Sequence, residues 1–89
     1  MAVDLYQQVA LRRDIHEHGL RRGDVAVLVD TAPHPRGGEE GCVLEVFNAL
    51  GESIAVVVVA ASDVEALRED EVFSVRQLVG VAELQSSKE

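Results

Sequence analysis

Short apolar segments alternate with glycine- and proline-rich segments along the chain, which is the pattern of a small all-β domain. Four segments have strand character: residues 8–15, 24–31, 42–48 and 53–61. In the first of them apolar and polar residues alternate, which predicts a half-buried strand with an irregularity near Arg13. The last two are joined by residues 48–51, Asn-Ala-Leu-Gly, which predict a hairpin turn.

Two loops separate the first three predicted strands. Residues 16–24 read HEHGLRRGD, and Gly19 and Gly23 suit backbone positions with positive φ in a compact loop. Residues 32–41 read APHPRGGEEG, with two prolines and three glycines in ten positions. Such a composition sustains neither a β-ladder nor a helix, so we predict a loop there.

The fourth strand is apolar on both of its faces. Its residues divide into two sets by alternation: Ile54, Val56, Val58 and Ala60, and Ala55, Val57, Val59 and Ala61. A small barrel has one interior, so the second face must meet the C-terminal segment, another subunit or solvent. Large apolar patches are unusual on monomers, which favours a subunit or the tail over solvent. We therefore predict a homo-oligomer, most simply a dimer.

The C-terminal third is harder to assign. Ser62 and Asp63 are good helix N-caps and predict one helical turn over residues 63–67, before a solvated bend at 68–71. Residues 71–78 fit both strand alternation and helical spacing, and their β-branched and aromatic content favours a strand. Together these elements predict a mainly β, SH3-like five-stranded barrel with one short helical turn before the last strand.

We predict a single domain over residues 1–89, with a core of about 5–79 and a flexible tail at 80–89. This chain resembles a known family. Two stretches carry the resemblance: VALRRDIHEHGLRRGDVAVLVD, and GESIAVVVV followed by ASDVEAL. They are similar to the small bacterial proteins grouped as domain of unknown function 4926, over residues 9–78. The resemblance implies an SH3-like barrel and supplies no activity to transfer.

Composition excludes several classes of protein. The 89 residues carry a formal charge of -8, which argues against a nucleic-acid binder because phosphate contacts need a basic surface. All of the excess negative charge lies beyond residue 38 of the sequence. The longest apolar run, residues 54–61, is far shorter than the roughly 20 residues of a membrane span, and the first residues lack the order of a signal peptide. A single cysteine fits a cytoplasmic protein without disulfides.

Three histidines and the cysteine are the candidates for chemistry. His16, His18 and His34 could approach a shared zinc ion, although exposed loop histidines are the simpler interpretation, and we predict no metal or other cofactor. Cys42 opens an apolar strand after Glu39 and Glu40, whose charge would raise the pKa of its thiol. A buried structural cysteine is therefore favoured over a nucleophile.

No arrangement of residues points to an enzyme. The adjacent carboxylates, at residues 39–40 and 69–71, fall on predicted exposed bends and not in contrasting environments across a cleft. The segment RGGEEG lacks the lysine and the strand-to-helix context of a phosphate loop. We therefore predict a protein without catalytic residues.

Arginines provide the candidate binding residues. We predict that a protein partner contacts these side chains: Arg12, Arg13, Arg21, Arg22 and Arg36. The first four could instead form ion pairs with Asp14, Asp24 or Asp30, or simply balance the surface charge. The resulting hypothesis is a cytoplasmic protein-interaction or assembly module that binds neither nucleic acid nor membrane. The alternative is an acidic antitoxin or immunity-type partner of a basic effector protein.

Overall fold

Five antiparallel strands form a single sheet in the computed structural model, which describes residues 3–34 and 37–78. The strands are β1 (Gln8–Leu11), β2 (Val25–Ala32), β3 (Gly41–Phe47), β4 (Ser53–Ala60) and β5 (Val64–Ala66). Their order across the sheet is β4-β3-β2-β1-β5, so β4 and β5 are its edges. The prediction of a mainly β fold is confirmed.

The core lies on one face of this sheet and is built from aliphatic side chains. Alternation brings every second residue of the strands to that face, which is why the pattern of the sequence predicted β2, β3 and β4 well. The most completely buried side chains are Val9, Leu11, Ile15, Leu28, Cys42 and Leu44. All three aromatic side chains of the chain, one Tyr and two Phe, lie outside this core.

A β-bulge bends the middle of the sheet. Leu28 pairs with Leu44 and Asp30 pairs with Val43, so Val29 has no counterpart on β3. An extra residue of this kind increases the local twist and bends the strand that contains it. The bend curves the sheet around its apolar face, where Leu28 and Leu44 are almost inaccessible to solvent.

The first strand is shorter than the sequence predicts. The prediction of one strand over residues 8–15 is wrong beyond Leu11, because the chain bends at residues 12–14. Ile15 then forms an isolated bridge with Leu20, around a 3-10 turn at His16–His18. The predicted irregularity near Arg13 is thus the end of the strand.

The last strand lies earlier in the chain than predicted. Residues 63–67 do not form a helical turn: the 3-10 turn is Ala61–Asp63, and β5 follows at once. Val64 is buried and lies opposite Leu11, so burial and β-branching decide the conformation there. The predicted strand at residues 71–78 is wrong too, because β5 already occupies the free edge of β1.

The loop boundaries are close to those expected. Ala32 and Gly41, predicted as loop ends, pair with each other and close the β2–β3 ladder. The predicted turn at residues 48–51 is confirmed, since the Asn48 side-chain oxygen accepts hydrogen bonds from the amides of Leu50 and Glu52. The tail at 80–89 and the candidate residue Arg36 lie outside the described residues.

Substituting Leu44→Ala will test the position of the core. The change removes a side chain that is fully buried between β2 and β4, so the free energy of unfolding should fall by about 2–5 kcal/mol in a denaturant titration. Leu50→Ala is the matched control, because Leu50 is exposed in the hairpin turn and should change stability by less than about 0.5 kcal/mol. Equal effects at the two positions would contradict this core.

Candidate interaction surface

The segment of residues 12–24, here called the arginine loop, is held in shape by two carboxylates. Asp14 accepts a hydrogen bond from the backbone amide of Arg22 at 2.9 Å. Asp24 accepts one from the amide of Arg21 at 2.8 Å. Both aspartates therefore fix the backbone of the loop, and neither forms the ion pair with a loop arginine that the sequence allowed. Asp30 likewise accepts from a backbone amide, that of Thr31.

Two glycines allow the arginine loop to turn tightly. Gly19 has φ of 68° and Gly23 has φ of 92°, both in the left-handed region, which confirms the expectation from the sequence. Gly19 follows the 3-10 turn directly and its amide closes that turn on the carbonyl of His16. The loop therefore reverses the chain within a few residues and presents its arginines from a fixed backbone.

Arg13, just after β1, is paired with a residue just before the neighbouring strand β5. Its guanidinium forms a bidentate ion pair with Asp63, with Nε–Oδ1 at 2.6 Å and an NH2 contact to Oδ2 at 3.0 Å. Asp63 is buried, and its hydrogen bond and charge raise the pKa of Arg13. A backbone hydrogen bond supports this ion pair, because the amide of Arg12 donates to the carbonyl of Asp63. Arg13 is therefore a structural residue, and its partner is not one of the three aspartates considered from sequence.

The remaining arginines of the loop point their guanidinium groups into solvent. Arg12, Arg21 and Arg22 are exposed, and in the described part of the chain their side chains make no hydrogen bond or ion pair. Of the five arginines predicted to contact a partner, these three retain free charges on the structure. A free guanidinium on a fixed backbone suits bidentate contacts to a carboxylate.

Residues 67–78, here called the C-terminal strap, run back along the sheet and are anchored at the arginine loop. Arg76 donates from Nε to Asp24 at 3.0 Å, makes a second short contact from its NH2 group to Asp24, and donates to the carbonyl of Gly19 at 3.2 Å. Asp24 thereby raises the pKa of Arg76. Leu78 packs against the core beside Gly19. The anchor holds an otherwise exposed segment against the sheet.

A cleft of about 1130 Å³ separates the strap from the sheet. Phe47 and Ile54 line it from the β3–β4 hairpin, and Phe73 lines it from the strap. Arg21 and Arg22 lie at the same cleft, so apolar and cationic groups share one surface. Phe73 is 70% exposed and Phe47 39% exposed, which is unusual for phenylalanine in a chain with so few aromatic residues.

Tyr6 is the third exposed aromatic residue, with 74% of its surface accessible. Its φ is 69°, and it is the non-glycine residue with positive φ in the described part of the chain. Its amide donates to the carbonyl of Leu28, next to the bulge of β2. Positive φ is costly for an aromatic residue, so the chain maintains an exposed ring in a conformation that local sterics oppose.

The histidines lie apart from any cluster of metal ligands. His16 and His18 are exposed on the 3-10 turn, and His34 is exposed in the loop after β2. Within residues 3–34 and 37–78, no three His, Cys, Asp or Glu side chains are grouped so that they could hold a metal ion. The structure does not bring the three weak zinc candidates together.

Cys42 is fully buried on β3, opposite Val59. Burial raises the pKa of its thiol above the ordinary value of 9.0, and the charge of Glu40 raises it further. The negative influence expected from Glu39 and Glu40 is thus present, with burial as the larger cause. A thiol that is both buried and hard to ionise is a poor nucleophile.

Two important residues, Asp63 and Arg76, escaped the sequence analysis. Asp63 pairs with a residue 50 positions earlier, and Arg76 with one 52 positions earlier. Local patterns assigned Asp63 to a helix cap and Arg76 to an ambiguous strand. No local pattern in the sequence indicates either pair, because each joins one of the few basic residues to an acidic residue far away along the chain.

The five-stranded sheet corresponds to a known sequence family. A family described as "Domain of unknown function (DUF4926)" matches residues 5–66, from just before β1 to the end of β5. The chain belongs to this family. The resemblance noted from the sequence is confirmed, and the strap at residues 67–78 lies beyond the matched region of this DUF4926 chain. Neither a curated protein nor a solved structure matches the chain.

Several acidic residues beyond residue 38 lie on exposed bends and loops. Glu69, Asp70 and Glu71 lie on the bend after β5, where Arg68 contacts the last two. Glu39 accepts hydrogen bonds from the amide and hydroxyl of Ser62 and so ties the β2–β3 loop to the turn before β5. Within the residues that the structure describes, no helix is long and apolar enough to cross a membrane.

Substituting Asp24→Asn will test the anchor of the strap. Trypsin must bind the guanidinium of Arg76 to cleave after it, and Asp24 holds that group. Loss of a charge-assisted hydrogen bond should accelerate cleavage at Arg76 by about tenfold, measured relative to cleavage at Arg68 by mass spectrometry. Asp4→Asn is the control, because Asp4 is exposed and far in the sequence from both cleavage sites. An unchanged rate at Arg76 in Asp24→Asn would show that the anchor does not hold the strap.

The pH dependence of stability will test the burial of Cys42. The pKa of the folded thiol is raised, so the unfolded thiol loses its proton first as pH rises past about 9. The stability contributed by this group is fully present below that pH and is lost above it. The melting temperature of wild type should therefore fall further between pH 8 and pH 10 than the melting temperature of Cys42→Ala. Parallel losses in the two proteins would mean that the thiol ionises equally in both states.

Proposed function

We propose that this DUF4926 chain is a non-enzymatic protein-interaction or assembly module. The observation that carries the proposal is the exposure of all its aromatic side chains, Tyr6, Phe47 and Phe73, around a core without aromatic residues. Aromatic side chains are usually largely buried in monomers and are enriched at protein interfaces. Because each of these aromatic side chains is exposed, the surface of this chain has the aromatic residues that are typical of a protein interface.

We also infer that the bent sheet is an SH3-like barrel. Support comes from the strand order β4-β3-β2-β1-β5, from the exclusively antiparallel pairing, and from the 3-10 turn that leads directly into β5. A five-stranded sheet of this size encloses a small core and leaves its loops and strap to make contacts. The fold leaves little room for an enclosed polar pocket of the kind that catalysis needs.

The proposed partner surface is the cleft between the strap and the sheet. Phe47 and Phe73 offer apolar contact area, and Arg21 and Arg22 offer free guanidinium groups beside them. Aromatic residues and arginines dominate the energetics of protein interfaces. The chemistry of the surface therefore fits a protein segment with apolar and acidic side chains. We expect the chain to meet this partner in the cytoplasm.

An acidic antitoxin or immunity-type protein, which would mask a basic effector, is the second candidate. It is favoured by carboxylates that have no cationic partner in the described part of the chain, among them Glu45, Glu65 and Glu69. Their charge would accelerate capture of a basic protein. On this hypothesis the arginine loop would contribute little to binding.

Affinity capture with matched variants will separate the two proposals. Tagged wild type and four variants, Phe73→Ser, Arg22→Glu, Glu65→Lys and Leu50→Ser, are each exposed to a native host extract, and bound proteins are quantified by mass spectrometry. Phe73→Ser and Arg22→Glu should retain the partner at least about tenfold less well, as expected for central interface residues. Leu50→Ser is the control, because Leu50 is equally apolar and exposed but is not among the residues that line the cleft.

Three outcomes decide the matter once all variants show the same melting temperature. Selective loss with the two cleft variants supports the cleft as the binding surface. A basic partner that is lost with Glu65→Lys and retained by Phe73→Ser supports the acidic capture protein. No partner above a tag-only control, or equal capture by every variant, contradicts a binding role for the cleft.

A further inference from the structure

Strand β4 has one unpaired edge. It pairs with β3 from residue 53 to residue 60, and it is the last strand of the sheet on that side. In the described ranges, 3–34 and 37–78, no backbone group hydrogen-bonds to its other edge. An open edge of eight residues is a template for another strand.

The open edge has few of the features that normally prevent strand addition. Proteins protect exposed edges with charged residues, prolines, β-bulges or very short strands. Strand β4 is bulged at Ile54, near its start, because Ala55 pairs with Val46 and Ser53 pairs with Phe47. Residues 53–60 read SIAVVVVA and contain neither a charge nor a proline. The opposite edge, β5, shows the contrast: it is three residues long and carries Glu65 at its centre.

The solvent face of β4 is apolar as well. Val56 is 63% exposed and Val58 is 57% exposed, on the face opposite the core. Val58 lies beside Val43 on β3, and it reaches over Gly41, where an added Cβ would be 3.2 Å from its Cγ1 atom. The two-faced pattern read from the sequence is therefore present, with Val57 and Val59 buried on the other side.

We propose that β4 pairs with β4 of a second copy in antiparallel orientation, which joins the two sheets into one ten-stranded sheet. The inference rests on the assembly role proposed above and names its partner. A two-fold axis at Val57 places that residue opposite its own counterpart. Val56 of each copy then lies opposite Val58 of the other, so the two exposed valines cover each other.

The absence of charge from β4 limits the repulsion between two copies. Two chains that each carry -8 repel one another, so contact costs least where the paired strands carry no carboxylate. Strand β4 itself is neutral, and the carboxylate beside it is that of Glu45, next to Val56 on β3. Strand β4 is also self-complementary, because pairing about Val57 keeps the core-facing residues of both copies on one face and the exposed valines on the other.

Light scattering after size exclusion will test the proposal with charged variants. At about 100 µM, wild type should elute with twice the 9.6 kDa mass of the chain. Val58→Lys places an unpaired charge in the new strand pair and should weaken dimerisation at least about 100-fold, which gives a monomer. Leu5→Lys is the control, because Leu5 is 47% exposed before β1, which β2 and β3 separate from β4, and the change should leave the dimer intact.

Mixed single-cysteine variants will test the register. Val56→Cys mixed with Val58→Cys should form a disulfide-linked heterodimer on mild oxidation, because directly opposed Cβ atoms are about 4.5–5.5 Å apart. Either variant alone should cross-link poorly, since its own copies would meet only diagonally, at about 7–8 Å. The buried Cys42 provides the common background. Cross-links in the single variants but not in the mixture would overturn this register.

The two proposals fail separately. A strict monomer of wild type at about 100 µM, or a dimer that survives Val58→Lys, overturns the β4 interface and leaves capture through the cleft untouched. A wild-type dimer that Val58→Lys dissociates, together with no partner capture in the host extract, supports the β4 interface while it overturns the cleft.

Discussion

The ion pair between Arg13 and Asp63 holds the two ends of the family domain together. Asp63 is the buried charged residue of the described chain, and a buried carboxylate is stable only when its oxygens are paired. Both of them bind Arg13, and the Asp63 carbonyl accepts from the amide of Arg12, the residue that follows β1. This geometry ends β1, sets the turn Ala61–Asp63 and delivers Val64 opposite Leu11. The fifth strand thus depends on a contact between residues 50 positions apart.

That dependence explains which parts of the fold the sequence could predict. Strands β2, β3 and β4 follow from alternation, because each has neighbours that a local pattern implies. The strand predicted at residues 71–78 had suitable β-branched residues, but Val64–Ala66 already pairs with the edge of β1 that it would have joined. Of the predicted arginine surface, Arg12, Arg21 and Arg22 remain available, whereas Arg13 is used structurally. No local signal distinguishes these arginines, because the distinction lies in Asp63.

Apolar residues make up 47% of the chain, and they are divided between a core and an outer surface. The core needs only the aliphatic residues of one sheet face. The remaining apolar residues, including the aromatic rings and the exposed Val56 and Val58 of β4, have no second layer to pack against in a domain this small. Exposure of Phe73 and Val56 is therefore a consequence of size, and the proposed contacts would bury what the domain cannot.

The β3–β4 hairpin connects the two proposed surfaces. Ile54 lines the cleft and is the bulged residue of β4, directly before Ala55, which the proposed pair places opposite Val59 of the second copy. Binding in the cleft and pairing of β4 would then both act on the position of this residue. Two binding events that share a structural element are coupled in both directions by the same free energy. A partner that tightens the hairpin would strengthen the dimer, and dimerisation would strengthen partner binding by the same factor.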